Sequence, residues 1–393
     1  MINYSIDNII NKNKIAIVVV GYNRLTSIKR LLGSLMQAKY PSNDVPLVIS
    51  IDCSNDIELY NYVETFKWPY GDKYVIIQKQ QLGLKEHIFY CGDLTQLFKA
   101  VIILEDDLYV SPYFYYYTSS AVNFYGDANN IACIALYAYS CQLYNYLPFI
   151  PYQEQYDVYA SQTVVTWGQC WTTQMWSNFR QWMIENPSIE WQSLHLPLAV
   201  KLHKKAWSKF FAAYITSNNL YIIAPYISYT TNFCEAGVHS SKNSSIAQVP
   251  LAFRSTNFNF APVENLVHYD AFLNPTHLGE MLLVPEDELC VDFYGDHYGQ
   301  RIKRYLLTTS ILPYQCIRSF GLEMRPIDAN IRLQIPGDGI RLYDTSRQIK
   351  GGKAIKHPIN SVLYRLNYFK PTLIIKTAFY VIKRRIIHIV NYD

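Results

Sequence analysis

Ile15-Ala16-Ile17-Val18-Val19-Val20-Gly21 is a run of apolar, mostly β-branched residues that stops at a glycine. It is short for a helix and unbroken by polar residues, which predicts a strand buried on both faces of a parallel sheet. Downstream, Ile28, Leu31, Leu32, Leu35 and Met36 recur at helical spacing behind Thr26, a residue able to cap the segment, with the end expected near Pro41. Val45 to Ile51 repeats the buried-strand pattern and stops at Asp52. Strand, helix, strand in that order is a right-handed βαβ unit. In open sheets of this kind ligands bind outside the carboxyl ends of the strands, which directs attention to Gly21 through Arg24 and Asp52 through Asn55.

Continuing outward, Tyr74 to Gln78 is a third expected strand, Glu86 to Phe98 a helix, and Ala100 to Leu104 a fourth strand running straight into Glu105-Asp106-Asp107. Carboxylates at the end of a buried apolar strand are costly unless a cation neutralises them. A divalent metal is the natural partner. Hard oxygen donors suit Mg²⁺ or Mn²⁺, which take one or two protein carboxylates and complete their shells with water and substrate phosphates. The alternative is a solvated acidic turn. Its placement on the fourth strand, in the crevice that would also hold Asp52 and Arg24, favours the metal.

Composition narrows the class. Half of the 393 residues are hydrophobic and 17% are charged, so the chain can bury a sizeable core and is neither disordered nor fibrous. A net charge of +4 is too mild for a dedicated nucleic-acid binder. The 35 tyrosines offer flat faces with a polar handle, which sugar rings and membrane interfaces both use. Eight scattered cysteines without a CxxC pair suggest neither zinc site nor disulfide framework and fit reduced thiols in a cytosol. The first apolar run follows polar residues and is too short to span a bilayer, which argues against secretion.

Three stretches together resemble the GT-A fold glycosyltransferases, and within them eukaryotic N-acetylglucosaminyltransferase I and the bacterial polysaccharide transferases similar to it. Val18 to Arg24 with its Leu-rich helix resembles the opening strand and helix, Pro46 to Cys53 the second strand with a uracil-reading Asp, and Leu104 to Pro112 the DxD-type metal motif. Trp167-Gly-Gln-Cys-Trp171 with Trp176 resembles the acceptor-side segment, and Ala224 to Asn232 through Gly237-Val-His239 the loop that closes over the donor. The similarity covers about the first two-thirds of the chain. It implies that Arg24 contacts the nucleotide, Asp52 hydrogen-bonds the uracil imide, Asp107 ligates Mn²⁺ or Mg²⁺, and Glu105 and Asp106 lie nearer the sugar and ribose. His87 sits a few residues from the spacing of a family histidine that touches the donor; a surface histidine on a helix is the alternative. Trp167 and Trp171 are the acceptor-side candidates, the other tryptophans being read as structural.

The family's catalytic Asp, expected after a Trp, is replaced here by Ser208 of Trp207-Ser208. A hydroxyl is no general base unaided, and inversion at an anomeric carbon needs the attacking hydroxyl deprotonated. Glu235 is the candidate base, no other Asp or Glu occurring between Glu190 and it, with Asp157 in reserve; His239 or Lys209 could help neutralise the leaving diphosphate. A retaining enzyme would need no such base.

The expectation is therefore one α/β domain of GT-A type, a mostly parallel sheet flanked by helices, over about residues 1–300. Its nucleotide-sugar-binding half would be 1–125 and its acceptor-side half 126–300. A C-terminal region, 301–393, would carry a basic amphipathic helical tail. In that tail Lys370, Lys376, Lys383, Arg384 and Arg385 lie among Leu363, Leu366, Leu373, Phe379 and Ile386, as in a helix lying on anionic lipid. A helix packed on the catalytic domain with its basic face in solvent is the alternative. Transfer of a sugar, most simply GlcNAc or another hexose, from a UDP donor to a hydroxyl of a glycan or lipid-linked oligosaccharide is the expected reaction, in the cytoplasm at the inner membrane face. Competing readings are a degenerate transferase fold kept as a glycan- or membrane-binding protein, and a sugar nucleotidyltransferase. The latter class favours a Gly-rich basic loop that Gly21-Tyr22-Asn23-Arg24 lacks.

Overall fold

The computed structural model describes residues 11–142, 145–203, 206–235, 245–253, 257–297 and 303–366, with 372, 374–379 and 382. The chain divides into two compact units, Met1–Glu286 with Asp296–Arg301, and Asp287–Gly295 with Ile302–Asp393.

In the first unit β1 (Asn11–Gly21) leads into α1 (Leu25–Gln37), β2 (Leu47–Ile51), α2 (Ile57–Thr65), β3 (Lys73–Ile77) and α3 (Gly83–Asp93). Next come β4 (Phe98–Glu105), the short β5 (Leu108–Val110), α4 (Phe114–Tyr125), β6 (Ile131–Ala135), β7 (Val158–Ser161) and β8 (Gln169–Thr172). The unit continues with α5 (Thr173–Glu185), α6 (Leu198–Leu202), α7 (Trp207–Ser217), β9 (Tyr221–Pro225), β10 (Thr230–Asn232) and β11 (His268–Tyr269). Nine strands form one sheet in the order β11-β7-β9-β6-β8-β4-β1-β2-β3. Five pairings are parallel; β8 is antiparallel to both β4 and β6, and β7 to β9. This is the α/β architecture of a mostly parallel central sheet flanked by helices. Ala16 through Val19 are wholly buried, as a strand covered on both faces must be.

The strand order reverses between β1 and β4: β2 and β3 lie to one side of β1, and the chain returns through α3 to place β4 on the other. The register pairs Val20 with Glu105, so the strand ends carrying Gly21 and the acidic run lie side by side at the switch point.

Two details differ from expectation for identifiable reasons. Helix α1 begins at Leu25 with no side-chain cap, so Thr26 sits inside its first turn. Helix α3 begins at Gly83, ahead of Glu86, because the Asp52 carboxylate accepts hydrogen bonds from the backbone N–H of Leu82 and Gly83 at 2.8 and 2.9 Å. A carboxylate there satisfies otherwise unpaired amides and complements the helix dipole.

The second unit is built on a four-stranded sheet, β12 (Leu289–Asp292), β13 (Tyr305–Thr308), β14 (Tyr314–Phe320) and β15 (Ile340–Gln348), in the order β12-β13-β15-β14. Most of the described residues beyond 301 are thus sheet and connecting loops, where a helical extension was expected; a helix, Ile359–Leu366, follows. Much of the expected amphipathic tail lies outside the described residues. No helix among the described residues is long and apolar enough to cross a membrane.

Candidate active site

The carboxyl ends of β1, β2 and β4 open into a cleft of about 900 Å³. Its lining brings together Gly21 through Arg24, Asp52, Gln81 through Lys85, His87, Glu105, Asp106, Asp107, Trp167, Phe210, Asn232 and Glu235. Residues expected from the strand ends therefore meet in one place.

At its base three consecutive carboxyl groups face one guanidinium. Arg24 pairs with Asp106 through Nε at 3.1 Å and through Nη2, and reaches Asp107 Oδ2 from Nη1 at 3.3 Å. Burial, reinforced by the neighbouring Asp107 and Asp106 carboxylates, pushes Glu105 up to about 8. Burial likewise pushes Asp106 up to about 6, against the pull of Arg24. The run thus carries more negative charge than Arg24 balances, and all its free donors are hard oxygens. That donor set fits a divalent cation of the Mg²⁺ or Mn²⁺ class, which needs only one or two protein carboxylates.

Asp107 is held from the far side as well. Strand β10 pairs antiparallel with β5, matching Asn232 to Leu108. Asn232 Nδ2 donates to Asp107 Oδ1 at 2.9 Å, and the Phe233 N–H to the Asp107 carbonyl at 3.0 Å. Asn232 was missed in the sequence because only this pairing joins residues 125 apart. The approach of β10 also explains Gly168, whose φ of +97° few side chains adopt and where a Cβ would lie 2.8 Å from Thr230.

Asp52 is 4% exposed and accepts from three backbone amides, its own neighbour Cys53 being the third at 2.9 Å. His87 borders the same space but is 2% exposed, bonded to Ser50 Oγ through Nε2 at 2.7 Å, and held neutral by burial at about 4. It is a buried histidine, neither the surface residue of the alternative nor a charged group.

The expected base is engaged by side chains of α1. Arg30 of α1 donates both terminal nitrogens to Glu235, each at 2.7 Å, while stacking 3.9 Å from the Phe233 ring, and Ser27 donates to the same carboxylate. The Arg30 hydrogen bonds, aided by Ser27, pull Glu235 down to about 2. So acidic a group is a poor proton acceptor at neutral pH. The spacing of Ser27 and Arg30, three apart on one face of α1, was the signal available in the sequence. Asp157 is not among the lining residues; its Oδ2 accepts from the Asn259 N–H at 2.7 Å.

The two acceptor-side tryptophans part company. Trp167 borders the cleft, its ring edge-on to Tyr137 at 4.8 Å. Trp171 is wholly buried among Trp176, Trp207 and Phe211, which leaves no face for a sugar ring, so it is a core residue. Lys209 donates to the Lys201 carbonyl and lies over the Trp191 ring, away from the lining. His239 lies outside the described residues.

A family model described as the GNT-I family matches residues 3–248, more than half of the chain. No curated protein matches the sequence. Among solved structures the chain is similar to S. aureus TarS 1-349, at 15% identity over 55% of this chain and 59% of that one, TM-score 0.37. It is similar also to the mannosyltransferase PcManGT from Pyrobaculum calidifontis in complex with GDP-Man and Mn²⁺, at 14% over 44% and 47%, TM-score 0.32. A third is GalNAc-T7 with UDP, GalNAc and Mn²⁺, at 13% over 56% and 43%, TM-score 0.37. The chain thus spans less than two thirds of each of these proteins.

Proposed function

The chain belongs to the GNT-I family of glycosyltransferases, and from that premise we propose that it transfers a sugar from a UDP-sugar, UDP-GlcNAc or another UDP-hexose, to a hydroxyl of a glycan or lipid-linked oligosaccharide. The observation that carries this reading is the acidic run closing β4 at the sheet's switch point, in one cleft with Arg24 and Asp52.

In this reading the nucleotide enters over the ends of β1 and β2. Asp52 turns a remaining lone pair to the uracil imide; its hold on Leu82 and Gly83 fixes both its own direction and the start of α3. Asp107, with Asp106 beside it, would hold Mn²⁺ or Mg²⁺, which when bound supplies charge neutralisation to the departing diphosphate. With a cation on Asp107, Arg24 would be free to turn toward the phosphates. Glu105 borders the same space and would face the donor's sugar or ribose. Trp167 offers its ring to the acceptor. Glu235 anchors the segment after β10 to α1 and does not serve as the proton acceptor. We place the protein in the cytoplasm, with the basic C-terminal tail at the inner face of the membrane: Leu363, Ile374, Ile375, Phe379 and Ile382 are exposed among lysines and arginines.

The test is calorimetric titration of UDP, GDP and CDP with Mn²⁺ and again with EDTA, on the wild type and on Asp107→Ala. Metal-dependent binding of UDP alone, lost in the variant, supports the donor site. No binding of any nucleotide favours the second reading, a glycan-binding protein on a transferase fold. The pairing of Asp106 and Asp107 with Arg24, and of Glu235 with Arg30, is the observation in its favour.

A further inference from the structure

Away from the cleft, two histidines and an aspartate from three separate segments of the first unit converge. His195 lies in the loop between α5 and α6, Asp270 in the turn after β11, and His297 in the segment that returns to this unit. One ligand atom from each lies within 4.8 Å of the other two, and His195 Nε2 stands 3.7 Å from Asp270 Oδ2. None of the three lines the cleft.

The arrangement is built rather than incidental. Asp270 is 7% exposed, and its Oδ1 accepts from the Phe272 and Asn274 amides at 2.8 and 2.9 Å, which aims Oδ2 at His195. Thr163 Oγ1 donates to the Asp270 carbonyl at 3.1 Å and fixes the turn from behind. Both imidazoles lean on one phenyl ring, Phe272, with centroids 4.8 Å away for His195 and 4.2 Å for His297. Leu194 and Leu196, on either side of His195, pack into the cluster that contains Phe272. A buried carboxylate is costly without a cation, and its ion-pair partner among the described residues is a half-exposed histidine.

The geometry points to a transition-metal site: His195, Asp270 and His297 bind one Zn²⁺-class ion, which clasps the loop before α6 and the returning segment to the turn after β11. Two imidazole nitrogens and one carboxylate oxygen suit Zn²⁺, Co²⁺ or Ni²⁺ better than Mg²⁺ or Ca²⁺. Ligands about 2.0–2.2 Å from a tetrahedral ion stand roughly 3.3–3.6 Å apart, so side-chain rotations of about an ångström close the site. Water completes the shell on the solvent side of His195. Hydrogen bonds to the second carboxylate oxygen are the outer-shell support such ligands ordinarily have.

The test uses the full chain, stripped with chelator and held in saturating Mg²⁺ so that the acidic cleft does not compete. Co²⁺ is titrated in by visible absorption and displaced with Zn²⁺, on the wild type, His195→Ala, His297→Gln and Asp270→Asn. One equivalent of Zn²⁺ displacing Co²⁺ is expected, with affinity falling at least about tenfold in each variant and the zinc-dependent rise in melting temperature lost. Absence of Co²⁺ absorption up to millimolar metal overturns the proposal. So does undiminished Zn²⁺ affinity in His195→Ala and His297→Gln, which would put the ion on other groups. Should a substitution at the more enclosed positions unfold the chain, the half-exposed His195→Ala decides alone, its fold checked by circular dichroism.

Discussion

Replacing Glu235 with Gln separates an anchoring carboxylate from a catalytic one. Two 2.7 Å hydrogen bonds tie it to Arg30, and the side chains of the pair are 21% and 27% exposed, Arg30 being the less exposed. A charge-assisted bidentate pair in that partly screened setting is worth about 1–2 kcal/mol. Glu235→Gln keeps the shape and loses the charge, so its urea midpoint at pH 7 should fall by that amount divided by the m-value. The sign of the pH dependence follows from the depressed carboxyl. The folded state holds it near 2 against an ordinary 4.5, so its contribution is full above about pH 5 and is lost as pH falls through the folded value. At pH 3.5 roughly three fifths of it remains, and the gap between wild type and variant should narrow accordingly. Transfer supplies the second readout: the variant should keep measurable turnover and the wild-type acid limb in its pH profile. Turnover abolished with UDP affinity intact would make Glu235 the base after all, and unfolding curves identical at both pH values would remove the anchor.

Asp52→Ala should weaken UDP binding at least about tenfold and also lower stability by about 1–2 kcal/mol, because the α3 amides lose their acceptor; calorimetry and denaturation on one sample read both, and unchanged nucleotide selectivity would take Asp52 out of the site. Trp171→Ala should cost about 3–5 kcal/mol as a core truncation, whereas Trp167→Ala should leave stability nearly intact and raise KM for the acceptor, which steady-state kinetics would show. Truncation before Ser361 should move the protein from membrane to soluble fractions without loss of nucleotide binding, and a full-length protein found wholly in the soluble fraction would refute the lipid-binding tail.

The parts of the fold legible in the sequence were those in which local pattern and burial coincide. Ile15 through Val20 and Ala100 through Leu104 read as buried strands because every residue of each run is enclosed, and the acidic run stood out against that background. What stayed hidden depends on partners distant along the chain. Asp52 caps a helix thirty residues away, Asn232 reaches back 125 residues to Asp107, and Arg30 takes up Glu235 across 205. No spacing rule encodes such pairings; they arise when strands meet. Trp171 shows the complementary failure, since an indole bound for a core and one bound for a ligand are the same residue until the neighbouring rings are known. In the second unit's sheet, β14, with three exposed residues in succession, lacks the enclosed pattern that marks β1 and β4.

Asp52 binds three amides at the junction of β2 and α3, and this sets how the protein could diverge. A residue that both terminates a strand and starts a helix cannot drift freely when the preferred nucleobase changes, because loss of the carboxylate is felt in folding before it is felt in selectivity. On the proposed UDP-sugar reading, adaptation of this scaffold to a guanine or cytosine nucleotide, in nature or in a selection experiment, should therefore leave position 52 untouched and accumulate changes around it, at Gln81 and Leu84, where side chains that line the cleft can be exchanged without unfastening the helix.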